Sequence, residues 1–408
     1  MRSPADDAPP VQSSSDADLR IRGRDIVCVG FADWESEVWT NQQHLMSRLA
    51  RENRVLFVES LGLRRPQLAV RDVRRMARRL ARGVAPPRER DGVWVLSPLV
   101  APLHGSAAVR RLNRLLLAWL VRRTVRRLGM HDVILWGYVP QAEVLLDALE
   151  PALVVYHCVD DIAAQKGIDG ESFRAAETRF AARADLVLAS APELTRRMRL
   201  LAGNVLAAPN VADTELFATA LDPGPVDPAL QALAHPRIVF TGAVVATKLD
   251  FDLLVALARA RPSWSIALVG PVGPGDPRTD VSRLAAEPNV HLLGPRSYGE
   301  LPAVLRGADA AIIPYACNEL TASVFPMKVY EYLAAGLPVL STPLPALVGV
   351  RDVHIAADGE EMARALGELL AQDSPPLAAE RSRRAAGHSW DARLREIATA
   401  LQTVPFAR

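Results

Sequence analysis

Short apolar runs alternate with longer amphipathic ones along most of this chain. Ile26–Gly30, Val55–Glu59, Val93–Leu96, Val133–Trp136, Leu153–His157, Leu186–Ser190 and Val205–Ala208 each read as a buried strand. Asn41–Arg51 reads as a helix between the first two, and arginine-rich helical stretches separate the later ones. Strands that recur with helices between them predict a parallel sheet covered on both faces. The rhythm stops at Leu221-Asp222-Pro223-Gly224-Pro225-Val226-Asp227-Pro228, whose prolines suit neither helix nor strand. It restarts after His235-Pro236. Strands are expected at Ile238–Thr241, Ser265–Val269, Val290–Leu293, Ala310–Pro314 and Val339–Ser341, and helices at Phe251–Ala260, Leu301–Arg306 and Pro326–Ala335. Trp390–Leu401 is amphipathic and helical. The expected fold is α/β, with two Rossmann-like doubly wound domains facing a central cleft. The divisions are a disordered tail over 1–20, a first domain over 21–217, a linker over 218–235, a second domain over 236–386 and a returning helix over 387–408.

Composition narrows the classes. A length of 408 residues suits two domains, and a net charge of +2 supplies no global drive toward nucleic acid. The arginines are crowded, however, between Arg64 and Arg90 and between Arg110 and Arg127. That crowding fits either solvated helix faces or a basic face for acidic lipid headgroups or an anionic acceptor. The apolar run Leu115–Val121 is far shorter than the roughly 20 residues that cross a bilayer, so membrane contact there would be peripheral. Cys28, Cys158 and Cys317 lie far apart in apolar runs and read as buried free thiols without zinc spacing. The polar first residues lack the apolar core of a secretory signal. The expectation is a cytoplasmic protein, with a seat at the inner face of the cell membrane if the arginines touch lipid.

The loops restrict the nucleotide chemistry. The first strand runs into Gly30-Phe31-Ala32-Asp33-Trp34-Glu35, not into a G-x-G-x-x-G turn, and no G-x-x-x-x-G-K-[ST] occurs. The prolines of Gly270-Pro271-Val272-Gly273-Pro274-Gly275 remove amides that a phosphate cradle would need. The most informative stretch is Asn318–Thr342. There Ser323 is expected to cap a helix with Pro326 in its first turn, stopped by Gly336 and Pro338. Lys328 and Glu331 share one face of it. The helix start and the Lys328 ammonium suit a diphosphate, and Glu331 can accept from two ribose hydroxyls. An ordinary i,i+3 ion pair on a surface helix is the alternative.

Pro326-Met327-Lys328-Val329-Tyr330-Glu331-Tyr332-Leu333-Ala334-Ala335-Gly336-Leu337-Pro338-Val339-Leu340 resembles the donor-binding helix of GT-B glycosyltransferases, especially bacterial envelope and exopolysaccharide enzymes. Pro209–Phe217 is similar to the segment closing the first domain in family-4 enzymes, Val239–Val244 to their opening donor-domain strand, Gly294–Pro302 to the loop flanking the base, and His388–Leu394 to the helix that crosses back. Many retaining members carry Glu-x7-Glu. Glu331 matches the second Glu, but Ser323 occupies the first position, and Glu319 is displaced from it by four residues. The Pro326-Met327-Lys328 run is closer to the xanthan glucuronosyltransferase type, an inverting, membrane-associated enzyme in which a first-domain carboxylate is the general base.

The resemblance therefore implies sugar transfer from a nucleotide-diphosphate sugar to a hydroxyl acceptor, by inversion and without a metal or other cofactor. The acceptor is a small molecule, a glycan or a lipid-linked group. In Tyr156-His157-Cys158-Val159-Asp160-Asp161, Asp160 is expected as base and Asp161 as helix cap beside it, with His157 an alternative. Gly242, Lys248, Arg296, Tyr298, Ser323, Met327, Lys328 and Glu331 are expected around the donor, and Trp34, Glu35, His44 and His157 around the acceptor. Trp39 suits helix packing equally well, and His44 suits a satisfied helix histidine better than a ligand. The rival readings are a nucleotide-sugar epimerase on the same fold and a non-catalytic nucleotide-sugar-binding partner of another transferase.

Overall fold

The computed structural model describes residues 21–36, 39–59, 86–98, 107–165, 167–274, 276 and 278–404. The expected tail 1–20 and most of the Arg64–Arg90 segment lie outside the described residues.

Two sheets form, one from each half. The first contains β1 (Asp25–Val29), β2 (Arg54–Val58), β3 (Arg88–Arg90), β4 (Val93–Leu96), β5 (Ile134–Gly137), β6 (Leu153–Cys158), β7 (Leu186–Ala189) and β8 (Val205–Ala207). Its order is β3-β4-β2-β1-β5-β6-β7-β8, parallel except where β3 turns back on β4. The second contains β9 (Arg237–Thr241), β10 (Ser265–Val269), β11 (Val290–Leu292), β12 (Ala310–Ile313), β13 (Val339–Ser341) and β14 (Val353–Ile355), in the order β11-β10-β9-β12-β13-β14 and parallel throughout. Both sheets reverse their winding beside their first strand, between β1 and β5 and between β9 and β12. In open α/β sheets the ligand crevice lies there, beyond the carboxyl ends of the strands.

The strands are apolar because both their faces are covered. β1 buries all five residues, with Val27 and Val29 packing on one face of the sheet and Ile26 and Cys28 on the other. The second face is closed by the Trp390–Gln402 helix, whose Trp390, Ile397 and Leu401 join the first-domain core. The last helix therefore straps one half to the other.

The linker carries structure that its prolines had not suggested. Asp227 Oδ1 accepts from the Ala229 and Leu230 amides at 3.0 and 3.1 Å and so caps a short Pro228–Gln231 helix, in which Pro228 holds the first position. Arg306 then fastens the preceding stretch, donating to the Thr219, Asp222 and Pro225 carbonyls.

Candidate active site

The two carboxyl edges meet. Asn210, just after β8, donates through Nδ2 to the Phe325 carbonyl at 2.9 Å and accepts from Asn41 Nδ2 at 2.8 Å. The Tyr138 hydroxyl donates to Asn41 Oδ1 at 2.9 Å. A hydrogen-bonded relay thus runs from the end of β5 to the segment before Lys328. Beside it, the Tyr298 ring lies 4.8 Å from His44 of the first domain and 5.3 Å from Phe217.

The second sheet's crevice is opened by glycine and lined by lysine. Gly242 follows β9 at φ +138°, a conformation that side chains rarely adopt. A Cβ there would sit 2.4 Å from Lys328 Cε and 2.9 Å from its Nζ, so the missing side chain is the space Lys328 occupies. A Cβ on Gly270, which follows β10, would sit 2.0 Å from the Gly242 carbonyl oxygen. The two glycines let these loops touch, and the Gly242 amide donates to Val269 O at 2.7 Å. Lys328 Nζ lies 5.9 Å over the Phe240 ring. Burial disfavours its ammonium, but Tyr315 and Glu331 outweigh burial and raise its pKa above the ordinary lysine value. Lys328 is therefore a charged group held in a half-buried place. Tyr332, on the same helix, accepts from the Thr241 amide at 2.8 Å and fixes the helix to the end of β9.

Glu331 is buried, and burial raises its pKa, with Lys328 and then Tyr298 opposing. The Tyr298 hydroxyl is close enough for this influence, yet it makes no hydrogen bond of ordinary geometry. Burial pushes that hydroxyl far above the ordinary tyrosine value. Lys248, in the loop after β9, lies with its Nζ 5.8 Å over the Tyr315 ring.

The helix itself differs from the expectation. Regular helix runs over Lys328–Ala334, with Met327 at its cap position and no capping side chain. Ser323 instead ends a separate turn, Glu319–Ala322, which Asn318 caps by accepting from the Thr321 amide at 3.1 Å. Val324-Phe325-Pro326 joins the two, and Met327 leans on the first-domain core. With only seven helical residues, the fixed positive charge at this place comes from Lys328 more than from the helix end.

On the first-domain side, Asp160 stands two residues beyond β6 and is half-buried. Burial raises its pKa, Lys248 of the second domain lowers it, and Asp161 raises it again. A carboxylate from one half and an ammonium from the other thus act on each other. Asp161 is committed elsewhere. It accepts from Arg174 at 3.0 Å and pairs with Arg197 at 3.2 Å, and its side chain caps no helix. Arg197 also binds Glu177, which accepts from the Tyr156 hydroxyl at 2.6 Å. This buried network anchors the loop that presents Asp160.

Several expected contacts lie elsewhere. Arg296 grips Asp227 through two hydrogen bonds of 2.6 and 3.3 Å and also donates to two carbonyls, so it braces the linker. Trp34 is buried against Phe57, and its Nε1 donates to Asp91 at 3.0 Å. Glu35 is exposed and paired with Arg90 at 3.4 Å. His157 shares the face of β6 that holds Leu153 and Val155 and stacks on Tyr138 at 4.8 Å. Burial, then Arg393, pulls its pKa down to about 3, so it is a neutral core histidine and not a base that an acceptor can reach. His44 stacks on Trp390 at 5.3 Å. Burial and then Arg48 pull its pKa to about 4, with Asp213 opposing. It packs the seam between the halves.

Asn41, Asn210 and Tyr332 are not singled out by the sequence, and Gly270 stands there only as part of a proline-interrupted loop. Asn210 was within the quoted Pro209–Phe217 run, and its polar side chain amid apolar neighbours was the available signal.

The fold has counterparts among known proteins. The structure of HepE from Anabaena in complex with UDP and glucose superposes with a TM-score of 0.63 at 16% identity, covering 93% of this chain and 99% of that one. Sucrose-phosphate synthase from Thermosynechococcus elongatus gives 0.65 at 15% identity, covering 93% and 98%. The fold is GT-B. Within this GT-B chain, residues 224–372 match the family model described as "Glycosyl transferases group 1". The Bacillus subtilis (strain 168) protein named "Putative teichuronic acid biosynthesis glycosyltransferase TuaH" is 32% identical over 228 residues, 52% of this chain and 56% of that protein. The chain thus spans about half the length of the curated relative it matches.

Proposed function

We propose that this GT-B protein transfers a sugar from a nucleotide-diphosphate sugar to a hydroxyl acceptor, with inversion, without a metal, and with Asp160 as general base. The observation that carries the reading is the charge gathered at the meeting of the two carboxyl edges: Lys328 in the space left by Gly242, with Glu331 on its own helix, and Asp160 within the electrostatic reach of Lys248.

In this reading the donor diphosphate lies against Lys328 and Lys248, and Glu331 faces the ribose. Asp160 takes the proton of the acceptor hydroxyl as that oxygen bonds to the anomeric carbon. The bond from that carbon to the diphosphate oxygen breaks, and the nucleoside diphosphate leaves with the electron pair. The two ammonium groups stabilise the charge that grows there, the task a divalent cation performs in other designs. Burial favours this arrangement twice, because it raises the basicity of Asp160 and strengthens each attraction in a site of low polarity. The bound UDP of HepE makes UDP-sugars the first donors to try.

The test has two stages. A thermal-shift panel of nucleotide-sugars, UDP-glucose included, identifies the donor, because a ligand that binds only the native state raises the melting temperature. That donor is then incubated with and without acceptors in the presence of a chelator. Transfer with inverted anomeric configuration, undiminished by the chelator, is expected. Interconversion of the donor alone would make the protein an epimerase, and donor binding with no transfer over a wide acceptor panel would make it a binding partner.

A further inference from the structure

The Ala107–Arg127 helix has two unlike faces. Leu117, Val121 and Val125 are buried in the first-domain core, with Asn113 and Thr124 beside them, which accounts for one stripe. On the opposite stripe Leu112, Leu115, Leu116 and Trp119 are 51%, 61%, 42% and 60% exposed. Their offsets of three and four residues make them one apolar ridge. Single exposed leucines need no explanation, but four large apolar side chains in one ridge do.

The charges say what covers it. Arg111, Arg114, Arg122, Arg123, Arg126 and Arg127 are all exposed, and the helix sequence contains no acidic residue. The Arg123 guanidinium lies 5.7 Å over the Trp119 ring, at the boundary between the ridge and the cationic turns. An apolar ridge with a tryptophan, flanked by arginines whose long stems can reach outward, is built to lie in the headgroup layer of an anionic bilayer. Among the described residues no helix is long and apolar enough to cross a membrane, so lipid contact through this helix would be peripheral.

We infer that the outer face of the Ala107–Arg127 helix docks the protein on an anionic lipid surface. The helix connects the parallel strands β4 and β5 and therefore begins near the carboxyl edge of the sheet, the edge that also bears Asp160. The ridge runs from Leu112 to Trp119, along the middle turns of the helix. If the glycosyl-transfer reading holds, a lipid-borne acceptor hydroxyl is thereby delivered at the same end as the base. The docking itself does not depend on that reading.

The experiment is co-sedimentation of the full chain with vesicles of phosphatidylcholine alone or mixed with phosphatidylglycerol, at low and high salt. The wild-type protein is expected to bind the anionic vesicles at least about tenfold better than the neutral ones, and less well as salt screens the arginines. Leu115→Glu/Trp119→Glu is expected to lower that binding by at least about tenfold with its melting temperature and donor-induced shift intact. Leu115→Ser/Trp119→Ser is a second, charge-neutral variant with the same expected direction. Failure of the wild-type chain to sediment with anionic vesicles at low salt, or full binding by both variants, would overturn the inference. So would a wild-type dimer that either variant converts to monomer without changing vesicle binding, because the ridge would then be a contact between copies. Vesicle binding requires no nucleotide-sugar, so failure of the donor assay and failure of docking are separate results.

Discussion

The ends of β1 and β9 occupy equivalent places in two sheets of the same winding, and each is followed by a glycine, yet what fills the space differs. At Gly30 an added Cβ would meet the Phe57 ring at 2.3 Å and Gln42 Oε1 at 2.5 Å, so core side chains fill the first crevice up to the backbone. Gln42 Oε1 also accepts from the Phe31 amide at 3.0 Å, which closes the turn. At Gly242 the added atom would meet the end of Lys328. One glycine is required for packing, the other for housing a cation. The same topology therefore supplies a wall in one half and a charged recess in the other, and the chemistry follows the side chains, not the strand order.

The sharpest way to break this comparison is to exchange the groups each half offers. Asp160→Asn should lower the rate of transfer by about 10²–10⁴-fold, the usual worth of a positioned base, whereas Asp161→Asn should leave the rate within about threefold. Asp161→Asn should instead cost about 1–3 kcal/mol in denaturant unfolding, because it leaves Arg197 without one of its partners. Equal rate losses in the two variants would remove the distinction between the base and its anchored neighbour. Gly242→Val should come next. It drives a side chain into Lys328 and strains a positive φ, so donor-induced stabilisation should largely vanish, along with about 1–3 kcal/mol of stability. An unchanged donor shift would mean that Lys328 has no part in donor binding.

A smaller effect tests the link between the halves. Lys248 lowers the pKa of Asp160, and under the proposed mechanism Asp160 works as a base only when ionised. Lys248→Met should therefore raise the Asp160 pKa and move the acidic limb of the kcat/KM profile to higher pH. A limb that stays in place would show that the two groups do not act on each other during the proposed transfer. The smallest effect is expected at Arg296→Ala. This variant should lose a few degrees of melting temperature, about 1–2 kcal/mol for its partly exposed pair with Asp227, while the donor shift persists.

The strands and their order of appearance were legible because fully covered strands are apolar runs, and the GT-B resemblance was carried by the run around Lys328. Elements without that signal escaped. β3 is Arg88-Glu89-Arg90, an edge hairpin strand with no apolar residue, and β14 is an edge strand with an exposed His354. The capping expectation failed because Ser323 closes a separate short turn, which Asn318 caps with Thr321 placed to return its bond, and the helix of Lys328 starts later, behind Met327, without a capping side chain. His157 could have been assigned to the core from period two along β6, since Leu153 and Val155 share its face. Arg296 could not, because its partner lies 69 positions away in the linker. Charged side chains that brace the fold and those that touch ligand look alike until distant segments are brought together.

The account rests most heavily on Lys328 as the group that holds the departing diphosphate. Titration calorimetry of the nucleoside diphosphate selected by the melting panel, against wild-type protein and Lys328→Ala, measures this directly. Loss of a charge-assisted contact worth about 1.5–3 kcal/mol should weaken binding by roughly ten- to hundredfold. Equal affinity in the two proteins would contradict the account.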